Sequence, residues 1–538
     1  MEINSNKMQN NSVFESIVNI YSSVPELYTT YMSMGRYYGE HGNVNQAYLC
    51  YEHAKFLCDN ETIIESIEKD MESCRQDDRF MVNPVSFVIL SYNSKDIMTG
   101  CIESIRKNCA PGSYEIVVVD NASTDGVREW LKEQSDIKLA LNEKNSGFAA
   151  GNNQGVKLAS PNNDIMLLNN DTIVTENSML FLRLGLYEDV GIGAAGPMTS
   201  YALNGQRVDD NDYSTEEWLE IGKGVNKPSI EANEDKSWLV GFAVLIKRMA
   251  WDIVGGLDTR FGYGFYEDSD YGLRMNSNGF RTVLCHNSFI YHYGSVSMKK
   301  NLEETMRAFE FNKRLLNEKW GFNFEIASRA KNDYVRYIER NRYDEFSVLE
   351  VGCGLAATMS LVRYNFPNAH VYGVEKKHKV AEIAGNYSEV LCGEIEDNEV
   401  MFEQNSFDYI FVANDFEKFD DPVAALRKLK GMLKPDGKIL MNQRNPLYGQ
   451  YMLEIFRGRF FTSNNRNEGN DIKKLYSKTE AYDIIARAGL VTDYRIAIAV
   501  SYEDKEEDAK ALEMIKELEG MLSADESHIS AYLWMLKK

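Results

Sequence analysis

Two short stretches decide how this chain reads: Val85-Ser-Phe-Val-Ile-Leu-Ser-Tyr-Asn93 and Phe346-Ser-Val-Leu-Glu-Val-Gly-Cys-Gly354. Each is an apolar run too short for a helix that stops in a polar or glycine-bearing turn, the pattern of a buried strand. Outward from the first lie a helix over Lys95 to Asn108, a strand over Tyr114 to Val119 ending in Asp120, and another over Asp164 to Leu168 ending at Asn169. Outward from the second, strands are expected at His370 to Val374, Ser388 to Gly393, Phe407 to Val412 and Lys438 to Asn442, with helices between. Apolar strands ending in polar residues belong in parallel sheets whose carboxyl ends hold a ligand. The fold class is therefore α/β, with two such units in one chain.

The 538 residues exceed what one core supports and suggest about three domains. A net charge of -22 argues against nucleic acid or an anionic membrane as partner, because phosphate contacts need concentrated Lys and Arg. Eight cysteines without a Cys-x-x-Cys pair read as reduced thiols, not as disulfides or a zinc site. The opening Met1-Glu-Ile-Asn-Ser-Asn-Lys7 lacks a signal-peptide core, and no stretch reaches the roughly 20 apolar residues of a membrane span, so a cytoplasmic location is expected. Residues 1–80 read as helical, with Tyr31, Met34, Gly35, Tyr38, Gly42, Ala47, Tyr51 and Ala54 at the small and aromatic positions of a tetratricopeptide-like hairpin. A lone hairpin either caps the next domain or contacts a protein partner. The first α/β unit is expected over 81–325, with linking helices to about 340, and the second over 341–538. Ala509, Leu512, Ile515, Leu518 and Leu522 recur at the spacing of a C-terminal packing helix.

Five stations follow one another in the first unit. They are Ser91-Tyr92-Asn93, Val119-Asp120-Asn121-Ala122-Ser123-Thr124-Asp125, Asn145-Ser146-Gly147-Phe148-Ala149-Ala150-Gly151-Asn152-Asn153, Leu168-Asn169-Asn170-Asp171, and Tyr266-Glu267-Asp268-Ser269-Asp270 followed by Arg274. On these motifs residues 84–300 resemble the family 2 glycosyltransferases, whose nucleotide-sugar-binding fold is called GT-A. The resemblance implies inverting transfer of a sugar from a nucleoside diphosphate to a hydroxyl of a glycan or glycoprotein. It places Tyr92, Asn93, Asp120, Asp125, Gly147, Asn153 and Asn170 around the nucleotide sugar. The Leu-Asn-Asn-Asp-Thr and Gly-Phe-Ala-Ala-Gly-Asn-Asn stretches look like those of bacterial rhamnosyltransferase-type members, which use dTDP-rhamnose, although members with other donors share them.

The chemistry accounts for the residue types. A departing diphosphate is highly charged, and a divalent cation with oxygen ligands, Mn or Mg, stabilises that charge. By resemblance Asp171 ends the family's metal-binding Asp-x-Asp motif, whose first Asp is here Asn169, and His292 in Tyr291-His292-Tyr293-Gly294 matches a histidine that completes the metal shell. An acceptor hydroxyl needs a base, and Asp268 is expected to serve, with Glu267 orienting the acceptor or acting as base itself. Trp238 to Phe242 would line the acceptor or sugar pocket. On the residues alone other readings stand: Asp120 as a turn cap, Gly147 as ordinary loop, His292 as structural, and Glu267, Asp268 and Asp270 as a solvated acidic turn.

Val348-Leu-Glu350-Val-Gly352-Cys-Gly354 resembles the first motif of class I S-adenosylmethionine-dependent methyltransferases, a Rossmann-like fold. The likeness covers about residues 340–500, through Val374-Glu375, Cys392-Gly393-Glu394, Phe407-Asp408-Tyr409-Ile410-Phe411 and Leu429 to Lys438 with its Leu-Lys-Pro-Asp-Gly run. It implies cofactor contacts from Glu350, Gly352, Gly354, Glu375 and Glu394, with Glu375 accepting from the ribose hydroxyls. The family's third glycine is Ala356, its Asp after the third strand is Glu394, and its common His after the fourth strand is Lys418. The whole reads as a bifunctional glycan-modifying enzyme that transfers a sugar and O-methylates the glycan. The alternative is a glycosyltransferase whose methyltransferase-like domain is a non-catalytic binding or scaffold module.

Overall fold

A computed structural model of the protein describes residues 27–229, 232–294, 302–413, 416–449, 451–452, 472–499 and 528–538. The chain forms two compact units, Met1–Trp320 and Gly321–Lys538.

The first unit opens on helices Tyr28–Glu40, Val44–Leu57 and Glu61–Arg75. The Asn60 side chain accepts from the Ile63 amide at 3.2 Å and so caps the third of these. Tyr31, Met34, Ala47, Leu49 and Ile67 of these helices share one apolar cluster with Phe87, Ile89 and Met166 of the following sheet. Glu52 and Arg183 form a buried ion pair, Arg183 also donates to the Asn83 carbonyl at 3.1 Å, and the Gln46 amide donates to the Leu184 carbonyl at 3.0 Å. Of the two readings of the helical start, these contacts fit the cap.

The sheet comprises β1 (Val85–Ser91), β2 (Tyr114–Asp120), β3 (Ile137–Leu141), β4 (Asp164–Asn169), β5 (Thr172–Val174), β6 (Ile192–Met198), β7 (Asn233–Lys236), β8 (Ala243–Ile246) and β9 (Arg281–His292). Its order is β3-β2-β1-β4-β8-β6-β9-β5, with β7 paired to β9. β1 runs parallel to β2 and β4, in a register that sets Ser91 beside Asp120 and Leu90 beside Asn169. β8 turns back antiparallel to β4, and β5 pairs antiparallel with the end of β9, so Thr172 lies opposite His292. The helix Leu302–Trp320 belongs to this unit. Buried Asp270 accepts from Trp320 Nε1 at 2.9 Å and pairs with Lys319 at 2.6 Å and Arg274 at 2.9 Å.

The second unit holds β10 (Phe346–Val351), β11 (Ala369–Glu375), β12 (Glu389–Cys392), β13 (Phe407–Val412), β14 (Leu433–Arg444), β15 (Val491–Ala499) and β16 (Ile529–Lys537), in the order β12-β11-β10-β13-β14-β16-β15. β16 is antiparallel to both neighbours, while β10 to β14 pair in parallel. This is a Rossmann-like sheet. The Leu-Lys-Pro-Asp-Gly run, expected before a strand, is instead the start of β14, where pairing with β13 shifts register between Phe407 and Tyr409. A proline that cannot donate to the ladder is accommodated at such an irregularity. The expected linker to about residue 340 divides differently. The short helices Phe324–Ala327 and Asn332–Val335 pack in the second unit, where the Ala327 carbonyl accepts from the Leu355 amide at 2.7 Å. The C-terminal helix expected from Ala509 to Leu522 lies outside the described residues.

Removing one member of a buried ion pair strands the other charge and costs about 3 kcal/mol. Glu52→Ala is therefore expected to destabilise the first unit by about that amount, read as a lowered urea midpoint with no change in m-value.

Candidate active sites

At the carboxyl edge of the first sheet, Asp171 follows β4 and His292 ends β9. Both are largely buried, and His292 Nε2 stands 3.3 Å from Asp171 Oδ1. His292 Nδ1 lies 2.9 Å from the Tyr201 carbonyl, which can only accept, so Nδ1 is the donor and the ring is oriented with Nε2 toward the carboxylate. Nε2 is buried and has no hydrogen-bond partner. Phe242 stacks on the imidazole with centroids 5.0 Å apart, which places this aromatic in the core behind the histidine. A carboxylate beside an imidazole nitrogen, with the ring held by a backbone carbonyl, suits a divalent cation. No group of three or more His, Cys, Asp or Glu side chains able to hold a metal occurs among the described residues. A cation at this pair would thus draw its remaining ligands from substrate phosphate and water.

Glu267 and Asp268 open the helix Glu267–Ser277. They are not a solvated turn: Glu267 is 6% exposed and Asp270 is fully buried. Asp268 Oδ2 accepts from the Gly241 amide at 3.0 Å, and Oδ1 accepts from the Ser269 amide at 2.6 Å and its hydroxyl at 3.2 Å. Burial raises the pKa of Asp268 even so. Glu267 is also raised, by burial first and then by the charge of Asp268.

The residues expected on the nucleotide sugar divide. Tyr92 is 43% exposed, and Asn170, next to Asp171, is partly exposed. Asn93 Oδ1 accepts from the Thr124 amide at 2.7 Å, and Asp125 takes the Lys95 amide at 2.9 Å and the Val127 amide at 3.3 Å, so these side chains tie the two turns together. Asp120 is fully buried; Oδ1 accepts from the Ser123 amide at 3.1 Å and lies 3.4 Å from Arg128, while Oδ2 has no partner. Asn153 is committed elsewhere, with both amide atoms bonded to the Leu257 backbone at 2.8 Å. Gly147 has φ +84°, and a Cβ there would stand 2.5 Å from the Gly262 carbonyl, so the glycine answers to that turn. Asn121, unremarked within its motif, accepts from Asn142 and the Ser146 hydroxyl at 2.9 Å and so holds the loop ahead of Gly147.

In the second unit a cavity of about 140 Å³ opens at the carboxyl ends of β10, β11 and β12, lined among others by Gly352, Gly354, Glu375, Glu394 and Lys418. Glu375 accepts from the Gly354 amide at 3.1 Å and the Lys377 amide at 2.9 Å, which fixes the carboxylate at the cavity wall. Glu394 lies 3.7 Å from Lys376. Glu350, expected on the cofactor, does not line the cavity: it is fully buried and accepts from Thr358 at 2.9 Å, anchoring the helix Ala357–Asn365. Gly354 (φ +56°) lies against the Ala327 carbonyl so closely that a side chain there would collide with it. Acceptor-only carboxylates beside a glycine turn suit a ligand carrying a ribose diol.

Two such edges, one pairing a cation site with a carboxylate and one a glycine turn with ribose acceptors, define a chain of the transferase class. Residues 86–191 match the family model Glycosyl transferase family 2, and residues 349–441 match the model Methyltransferase domain, so the chain carries one domain of each family. It is 23% identical over 228 residues to the O-antigen biosynthesis protein RfbC of Myxococcus xanthus, covering 40% of this chain and 18% of that one. It is 30% identical over 155 residues to an uncharacterized protein of Mycobacterium tuberculosis, covering 28% and 55%. It is 21% identical over 279 residues to the low-salt glycan biosynthesis hexosyltransferase Agl10 of Haloferax volcanii, covering 51% and 83%. The chain thus spans well under two thirds of the first two relatives.

A methyl group at residue 354 would meet the Ala327 carbonyl in a backbone conformation that side chains avoid. Gly354→Ala is expected to cost about 2 kcal/mol, measured by urea denaturation.

Proposed function

We propose that this chain builds and modifies a glycan: the first unit transfers a sugar from a nucleoside diphosphate to a hydroxyl of a glycan or glycoprotein, and the second methylates a glycan hydroxyl from S-adenosylmethionine. The observation that carries the reading is the buried Asp171–His292 pair with its unpartnered Nε2. The family models of both domains, and relatives named for O-antigen and glycan biosynthesis, support the same direction. Tyr92, Asn170 and the turns around Asp120 form the nucleotide end, with dTDP-rhamnose the first donor to test. No helix among the described residues is long and apolar enough to cross a membrane, and the proposed place of action is the cytoplasm.

In the proposed transfer, Asp268 accepts the proton of the acceptor hydroxyl while that oxygen attacks the anomeric carbon. The bond to the diphosphate oxygen breaks with its electron pair, and one displacement inverts the centre. The amides of Gly241 and Ser269 hold Asp268 in place for this step. Asp171 and His292 would hold a Mn or Mg ion, which would supply positive charge against the departing diphosphate. In the second unit Glu375 would accept from the ribose of bound S-adenosylmethionine, and Glu394 and Lys418 line the same cavity. Two sites on one chain raise the concentration of the first product at the second site.

Mass spectrometry of products from a panel of nucleotide sugars and glycans tests the assignment; absence of any transfer by folded protein would overturn it. Asp171→Ala and Asp268→Asn are expected to abolish sugar transfer while leaving S-adenosylmethionine binding intact by calorimetry. Glu375→Ala is expected to do the reverse. Because Asp268 must be ionised and its pKa is raised by burial, kcat/KM should climb with pH through a midpoint above the ordinary aspartate value of 3.8. An acid limb at or below that value would exclude Asp268 as base.

A further inference from the structure

The two carboxyl groups at the start of the helix Glu267–Ser277 are adjacent in sequence but differently served. Asp268 is partly exposed and accepts three hydrogen bonds, from the Gly241 amide, the Ser269 amide and the Ser269 hydroxyl. Glu267 is 6% exposed, and its Oε2 is buried with no partner. Both line a small cavity beneath the helix whose other walls include Phe148, Leu167, Leu239 and Val244. The cavity measures about 20 Å³, room for one water.

One further titratable residue lines it. Tyr271, four residues after Glu267 on the same helix face, lines the cavity, and its hydroxyl is likewise buried without a partner. The titratable groups lining the cavity are Glu267, Asp268 and Tyr271. The Arg274 guanidinium lies 4.9 Å over the Tyr271 ring. Thr282, from the sheet below, spends its hydroxyl on the Lys236 carbonyl.

A carboxylate served by several donors keeps its charge, whereas one in a largely apolar cavity, with only its own amide as donor and one oxygen left bare, keeps its proton. Two adjacent carboxyl groups do not readily ionise together. We infer that Glu267 is the proton-holding member of the pair: it stays neutral at physiological pH, so that Asp268 is the member that ionises and acts as base. Glu267 is then a positioning residue and never touches the acceptor. The inference rests on the proposed sugar transfer for its catalytic meaning but not for its protonation state. On turnover the acceptor proton goes to Asp268, the pair holds two protons, and one leaves to solvent with the product. The rise in the pKa of Glu267 from burial and from its neighbour's charge agrees with this division.

The test is an infrared pH titration of the full chain alongside sugar-transfer assays. In the wild type a protonated carboxyl band should persist at neutral pH and vanish only well above the ordinary glutamate value of 4.5. Glu267→Gln, a neutral isostere of the protonated side chain, should lose that band and keep kcat within about tenfold of wild type, whereas Asp268→Asn should lose transfer. In Asp268→Asn the band should remain, with its midpoint moved to lower pH because the neighbouring charge is gone; this arm decides the matter if the glutamine variant does not fold. The inference is overturned if Glu267→Gln abolishes transfer as Asp268→Asn does, if the neutral-pH band survives in Glu267→Gln, or if it disappears in Asp268→Asn. A wild type that transfers no sugar but shows the band as described would sink the proposed function and leave the proton assignment standing.

Discussion

The parallel ladder that locks β1 between β2 and β4 is the constraint from which the first site follows. Once Ser91 is bonded beside Asp120 and Leu90 beside Asn169, the three strands must end at one level. Strands buried on both faces cannot carry polar side chains along their length, so polarity collects where the ladder stops. The chain leaves β4 through Asn170 and Asp171, and β5 then pairs with the end of β9, which returns His292 to the same level. A register slip of one residue in either ladder would turn these side chains to the opposite face. The cation pair is thus a product of backbone pairing as much as of residue choice.

What the sequence discloses and what it hides divide along this line. The apolar runs of β1, β4, β10 and β13 were readable because each is a local pattern closed by a polar or glycine turn. The fold class and both family likenesses rest on such local runs. The partnership of Asp171 and His292 was available only through motif likeness, since their approach depends on antiparallel pairing between positions far apart in the chain. Asn153 illustrates the opposite limit. Its motif puts it near the nucleotide, yet both amide atoms are taken by the Leu257 backbone, a contact no local pattern announces. Glu350 shows the same limit: a strand-end acid looks available, yet it is fully buried and accepts from the Thr358 hydroxyl. The helical start and the linker are helical where they are described, as expected, but the core that each joins is not legible in its own residues. Composition shows helix there, but the buried contacts of Arg183 and Asp270 decide which core each segment joins.

The two units use one physical device in different chemistry. In each, a carboxylate lining a cavity is held by backbone amides: Asp268 by Gly241 and Ser269, and Glu375 by Gly354 and Lys377. Backbone donors fix a side chain without spending a second one, and they favour the ionised form. Where the task is to accept a proton, this sets the basicity against burial; where it is to accept hydrogen bonds from a diol, it sets direction alone.

An acidic motif therefore does not identify its own base. In Glu267-Asp268 the residues differ by one methylene, and composition gives no reason to prefer either. The preference comes from the Gly241 amide, contributed by a segment some distance along the chain, which lies where it can serve Asp268 and leaves Glu267 to an apolar cavity. Had that amide faced the glutamate, the same two letters would exchange roles. Assigning acid and base in such a pair is a matter of counting donors around each oxygen, and the count is set by the fold.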